Sequence, residues 1–90
     1  MENNLNTNDY YILQCVIDVE QNRGLVQGRG STKKQIIEKS GFSSFKVHNT
    51  LKVLLQLELI SYGVKHEKAK TYCITKKGYE ILKKLKESII

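Results

Sequence analysis

The run S-T-K-K-Q-I-I-E-K-S-G-F-S-S-F-K-V-H-N-T-L-K-V-L-L-Q-L, residues 31–57, constrains this chain most, because it encodes two helices and the turn between them in capping chemistry. Thr32 followed by Gln35 forms a capping box, in which the threonine oxygen accepts a backbone N–H and the glutamine reaches back to the cap residue. The pattern predicts a short helix from Lys33 to about Lys39, with Ile36 and Ile37 inward. Ser40-Gly41 ends it, since glycine enters the left-handed conformation that closes a helix. Phe42 then packs inward and Ser43 caps a longer helix, after three to four residues of turn. From Ser44 to Leu57 the apolar positions Val47, Leu51, Leu54 and Leu55 fall within about 100° of one another, the stripe of a helix lying on a core. Phe45, Lys46, Asn49, Lys52, Val53 and Gln56 lie opposite.

The flanking segments complete one domain. Asn8 or Asp9 caps a helix expected from Tyr10 to about Asn22, after a flexible N-terminus over residues 1–8. Its apolar residues Tyr10, Ile12, Leu13, Cys15, Val16, Ile17 and Val19 span roughly 200°, wide enough to meet both its own core and a partner subunit. Arg23 to Ser31 reads as a glycine-rich loop, with a short strand at Leu25 and Val26. After Leu57 the period of 3.6 gives way to two β segments, Leu59–Val64 and Lys70–Thr75, joined by the charged K-H-E-K-A as a hairpin with a basic tip. Thr75 caps a last helix from Lys76 to about Ser88, whose Gly78, Ile81, Leu82, Leu85 and Ile89 form one stripe. Gly78, Leu82, Leu85 and Ile89 also fit heptad spacing, which suggests a dimer seam.

Charge narrows the partner. Residues 1–28 hold one basic and four acidic groups, net −3, while residues 29–90 hold 14 basic and five acidic, net +9. So uneven a split gives one surface suited to polyanions, and nucleic acid is the usual soluble polyanion. With 90 residues, 40% hydrophobic, the chain suffices for a single domain over residues 1–90. A bare monomer this small is marginally stable, and dimerisation supplies the missing burial. The absence of a run of 18 apolar residues, and of a basic N-terminal region followed by an apolar stretch, points to a soluble, cytoplasmic protein without membrane partners.

Cys15 and Cys73 lack neighbours at metal-ligand spacing and read as buried thiols, so no metal or cofactor is expected. His48 and His66 have no placed Cys, Ser or carboxylate partner, which argues against an enzyme. Gly28-Arg29-Gly30-Ser31 lacks the spacing of a phosphate loop.

The order helix, helix, tight turn, helix, hairpin, helix, with the wording of residues 31–60, resembles the winged helix-turn-helix superfamily, including small MarR- and ArsR-like regulators. K-T-Y-C-I-T-K-K-G-Y-E-I-L, residues 70–82, resembles the "Y-x-L-T-x-x-G" strand and helix start of MarR-like proteins. The resemblance implies a mainly helical α+β fold with a three-helix core, a two-stranded wing and a C-terminal helix. It also implies double-stranded DNA as partner, bound by a homodimer. Such regulators commonly carry glycine where this chain has Glu58, so an irregular end to the recognition helix is expected. The residues that carry the resemblance do not include the long terminal helices of full MarR proteins, so no obvious room for a small-molecule pocket is expected.

On that fold, Ser44, Phe45, Lys46, Asn49, Lys52 and Gln56 are the expected base readers in the major groove. Asn49 and Gln56 suit adenine, the lysines suit guanine acceptors or phosphates, and Phe45 suits a thymine methyl if it does not pack under the second helix. Expected backbone contacts are Arg29, Thr32, Lys33, Lys34, Ser43, His48, Thr50 and the wing residues Lys65, His66, Lys68 and Lys70. Tyr10, Ile12, Val16, Val19, Leu82, Leu85 and Ile89 are the expected dimer contacts. Two roles fit these residues: a transcriptional regulator or repressor, and a centromere-binding adaptor of a plasmid or phage partition system, with a filament-forming nucleotidase as its further partner. A winged helix used only for protein contacts is a third, disfavoured by the polar face of Lys46, Asn49, Lys52 and Gln56.

Overall fold

The computed structural model describes residues 5–18 and 29–89, with side chains up to residue 85. In chain order the elements are α1 (Thr7–Cys15), β1 (Ser31–Thr32), α2 (Lys33–Ser40), α3 (Ser44–Gln56), β2 (Ile60–Tyr62), β3 (Thr71–Ile74) and α4 (Lys76–Ile89). The strands form one antiparallel sheet in the order β1-β3-β2, with Ser31 opposite Tyr72 and Tyr62 on its other side. A third strand thus joins the two expected for the wing, and it turns straight into the cap of α2.

The α2 and α3 boundaries follow their capping chemistry. The Gln35 amide donates to Thr32 Oγ1 at 3.1 Å and the Thr32 amide donates to Gln35 Oε1 at 2.9 Å, completing the box. Gly41 closes α2 at φ 77° while its amide donates to the Ile37 carbonyl. Ser43 caps α3 by accepting from the Lys46 amide, and Thr75 caps α4 by accepting from that of Gly78.

α1 departs from expectation at both ends. Its cap is Asn6, with Asp9 three residues on as the reciprocal partner, so residues 5–8 are not a loose tail; Leu5 packs against the core. The helix ends at Cys15 instead of running to Asn22. The Val16 carbonyl accepts from the Ser31 hydroxyl at 2.7 Å and the Ile17 carbonyl from the Lys39 ammonium, so tertiary partners satisfy acceptors that a longer helix would have used. The expected strand at Leu25 and Val26 lies outside the described residues, as does Val19.

α3 ends in order, against expectation. Glu58 adopts φ 63°, its amide donates to the Leu55 carbonyl and the Leu59 amide donates to that of Leu54, the full Schellman pattern on a non-glycine residue. Leu59 is thereby driven into the core.

That core joins Ile12, Leu13 and Val16 of α1 and its C-cap to Ile36 of α2, Val47, Leu51 and Leu54 of α3, then Leu59, Ile60, Ile74 and Leu82. Each such side chain contributes roughly 1.5–3 kcal/mol by leaving water. Cys15 and Cys73 are both buried. Burial pushes the Cys15 thiol up, partly offset by the charge of Lys39 and a hydrogen bond with Tyr11. Gly78 lets α4 cross the end of α3, because a Cβ there would stand 2.1 Å from the Leu59 carbonyl oxygen.

Ile12 and Val16 are each 0% exposed and Leu82 is 7%, so these three expected dimer contacts are consumed by the chain's own core. The wide apolar arc of α1 is explained within one subunit, where the helix meets α2, α3 and α4 together. No helix among the described residues is long and apolar enough to cross a membrane.

Candidate nucleic-acid interface

α3 separates its side chains sharply. Val47, Leu51 and Leu54 are buried, whereas Ser44, Phe45, His48, Asn49, Lys52 and Gln56 are exposed. Phe45, Asn49, Lys52 and Gln56 follow the spacing i, i+4, i+7, i+11, a single stripe along the helix. Phe45 is 76% exposed, so it does not pack under α2. Phe42 is the ring of this turn that packs against the core, edge-to-face with Tyr11 at 5.9 Å between ring centres.

Two expected DNA contacts belong elsewhere. Lys46 Nζ lies 2.7 Å from Asp9 Oδ1, with the lysine side chain 33% exposed. Thr50 is buried, and its hydroxyl donates to the same Asp9 oxygen at 3.1 Å. Thr50 is therefore withdrawn from any backbone contact, and the Lys46 ammonium is engaged by Asp9 and not free on the outward face. Asp9 is the residue that sequence reasoning missed in this role. Burial alone would raise its carboxyl, but hydrogen bonds from Lys46, the Asn6 amide and Thr50, with the Lys46 charge, outweigh that and hold it below the usual carboxylate range. Its fold partners lie 37 and 41 residues away, so only its capping role had a local signal.

The N-terminus of α2 stands beside α3. Lys33 Nζ is 3.3 Å from His48 Nδ1, joining the two helices at the surface, and Lys34 is exposed one residue on. Thr32 is buried with its oxygen committed to the cap, which leaves the first-turn backbone amides as the polar groups at this end, alongside the two lysines. Ser43 is exposed, its Oγ likewise committed to capping.

The wing rises on the other side. Between His66 and Ala69, which exchange two backbone hydrogen bonds, Glu67 takes φ 59° at the first position of a two-residue turn. Lys65, His66, Lys68 and Lys70 are all exposed. Arg29, exposed, bridges to Val64 at the wing's base, so it is anchored to the wing and is not on a free loop. Lys70 Nζ sits 5.4 Å from the centre of the Tyr62 ring, which in turn packs on Tyr72. An open groove of about 1310 Å³ separates wing from α2, lined by Lys33, Lys34 and Glu38 on one side and His66, Lys68 and Lys70 on the other. Of the cations expected to meet a polyanion, Lys33, Lys34, Lys68 and Lys70 line this one groove together with His66, whereas Arg29 and Lys65 lie outside it, and His48 ties the groove to α3 through Lys33.

Of the expected dimer contacts not buried in the core, Tyr10 and Leu85 are half-buried, and the side chain of Ile89 lies outside the described residues.

Solved structures share this architecture. The chain is similar to MepR of Staphylococcus aureus, a transcription regulator of the multidrug efflux pump MepA, with 19% identity over 93% of this chain and 57% of that one, TM-score 0.74. A MepR mutant bound to an oligodeoxyribonucleotide matches at 18% identity and TM-score 0.75, over 94% of this chain and 58% of that one. BpsR of Bordetella bronchiseptica, whose DNA binding is regulated by 6-hydroxynicotinic acid, matches at 11% identity over 93% of this chain and 54% of that one, TM-score 0.71. The chain spans a little over half the length of these proteins. No curated protein matches it in sequence. A family model described as winged helix-turn-helix matches residues 10–89, nearly the whole chain, and with the four helices and three-stranded antiparallel sheet described above it places this protein in the winged helix-turn-helix family.

Proposed function

We propose that this chain binds double-stranded DNA sequence-specifically and acts as a transcriptional regulator, with the outward stripe of α3 in the major groove and the wing on the backbone or minor groove. The observation that carries the reading is continuity: Asn49, Lys52 and Gln56 are exposed on α3, His48 beside them meets Lys33, and Lys33 shares a groove with Lys68 and Lys70. The amides suit adenine and Lys52 suits guanine, while the groove lysines neutralise phosphates without reading sequence. The likeness to MepR, a mutant of which is bound to an oligodeoxyribonucleotide, supports the same assignment.

The test is selection of bound fragments from a random duplex pool, followed by salt titration on the best one. Binding should weaken steeply with salt, and Lys68→Ala should lower affinity for all duplexes alike and reduce the salt slope by about 1. Retention of no sequence, or affinity indifferent to salt, would overturn the proposal. A single palindrome beside a promoter supports regulation, whereas clustered repeats of one short site would move the chain to partition.

The active species is proposed to be a homodimer. With Ile12, Val16 and Leu82 spent on the core, its contacts fall to Tyr10 and to α4 beyond Leu82, where Leu85 is half-buried. A chain that sediments as a monomer at micromolar concentration with undiminished DNA affinity would sink this part alone.

A further inference from the structure

The first turn of α3 presents an apolar group outward while its lysine is held against α1. Its first turn carries Ser44, Phe45 and Lys46, and the Lys46 ammonium is held at 2.7 Å by Asp9. The ring of Phe45 is 76% exposed while Val47, Leu51 and Leu54 of the same helix are buried. It stands outside the Tyr11–Phe42 aromatic pair and on the same stripe as Asn49, Lys52 and Gln56. Interior packing therefore does not account for it.

We infer, resting on the DNA-binding reading above, that Phe45 is a specificity-determining residue that selects thymine through its 5-methyl group. In the major groove the base edges present hydrogen-bond donors and acceptors, and the thymine methyl is the one apolar group among them. A phenyl ring set against a polar edge leaves that edge without a partner, at a cost; set against the methyl it removes apolar surface from water on both sides. The neighbouring lysine, which would otherwise read guanine from the same turn, is engaged with Asp9. The base pair facing the first turn of α3 should therefore be a T·A pair, read by its methyl and close to the bases facing Asn49, since the two side chains stand one α-helical turn, about 5–6 Å, apart.

The experiment takes the best duplex from the random-pool selection and replaces each thymine in turn by deoxyuridine, which removes the methyl and leaves the pairing edge unchanged. Wild-type protein should lose about fourfold in affinity per contacted methyl, the factor corresponding to burial of one methyl-sized group. Phe45→Ala should bind the thymine and deoxyuridine duplexes equally, and Phe45→Leu should keep part of the discrimination. Both variants should melt as the wild type does, because the side chain is exposed. Equal wild-type affinity for the parent duplex and every deoxyuridine duplex would overturn this inference while leaving DNA binding intact. Wild-type discrimination persisting in Phe45→Ala would overturn it as well. Failure of the wild type to bind the parent duplex would overturn both readings at once.

Discussion

The two faces of α3 use the same chemistry for opposite ends. Lys46 and Thr50 face α1, where Asp9 accepts from both, and they are spent on holding the helix in place. Lys52 and Asn49, of similar character and a few residues away, face outward. Residue type alone therefore did not assign the role. The decisive fact is that α1 carries one carboxylate, 13% exposed, opposite the first two turns of α3. A buried carboxylate needs partners, and α3 supplies them from the side that faces α1.

Substitutions on the inner face should change stability and those on the outer face should change binding, and the largest effect belongs to the core beneath. Leu51 is buried within the core cluster, so Leu51→Ala should lower unfolding free energy by about 2–5 kcal/mol in urea titration. Next comes the clamp. Asp9→Ala removes the acceptor for Lys46 and Thr50 and should cost on the order of 1–3 kcal/mol, leaving a buried hydroxyl to be satisfied. Because the folded state holds the Asp9 carboxyl below its ordinary value, its contribution is fully present above about pH 4 and is lost as pH falls through the folded value. Wild type should thus lose stability on acidification more steeply than Asp9→Ala. Parallel curves would dissolve the contrast between the faces.

On the outer face, Asn49→Ala should leave the melting temperature unchanged and relax discrimination at one base pair by about 1–3 kcal/mol. The measurement is affinity for the selected duplex against single-base variants of it. If Asn49→Ala instead destabilises the fold, or weakens all duplexes equally, the outward stripe is not a reading surface. The contrast with Asp9→Ala is then a matter of degree only.

Much of this arrangement was legible in the sequence because it is local. The caps at Thr32, Ser43 and Thr75, the glycine closure at Gly41 and the stripe of Val47, Leu51 and Leu54 each depend on residues within a few positions. The basic hairpin tip was legible for the same reason. What escaped depends on contacts far along the chain. The Asp9 clamp joins residues 37 and 41 apart, and α1 stops at Cys15 because Ser31 and Lys39 satisfy the carbonyls that follow. The third strand is only two residues long and exists by pairing Ser31 and Thr32 with β3. The dimer assignment of Ile12 and Val16 erred for a related reason: a wide apolar arc looks the same whether it meets a second subunit or three neighbours of its own.

The two faces of α3 meet at its end, and there the sharpest small prediction lies. Glu58 holds φ 63°, a conformation that costs a side-chain-bearing residue roughly 1–2 kcal/mol and glycine almost nothing. Yet the position does structural work, since the Leu59 amide turns back to the Leu54 carbonyl and the Glu58 carbonyl accepts from Thr75 at 2.7 Å, fixing α3 against the start of α4. Those bonds use only backbone atoms of residue 58, and its side chain is exposed, so glycine keeps them all. Glu58→Gly should therefore raise stability by up to about 1 kcal/mol, the relief of strain being offset in part by the greater freedom of glycine in the unfolded chain. Affinity for the selected duplex should stay the same, because the substitution lies beyond Gln56, the last residue of the proposed reading stripe. A gain in stability accompanied by altered base preference would mean that the end of α3 is not held independently of its outward face. The division of the helix into a clamped side and a reading side would then have to be redrawn at that residue.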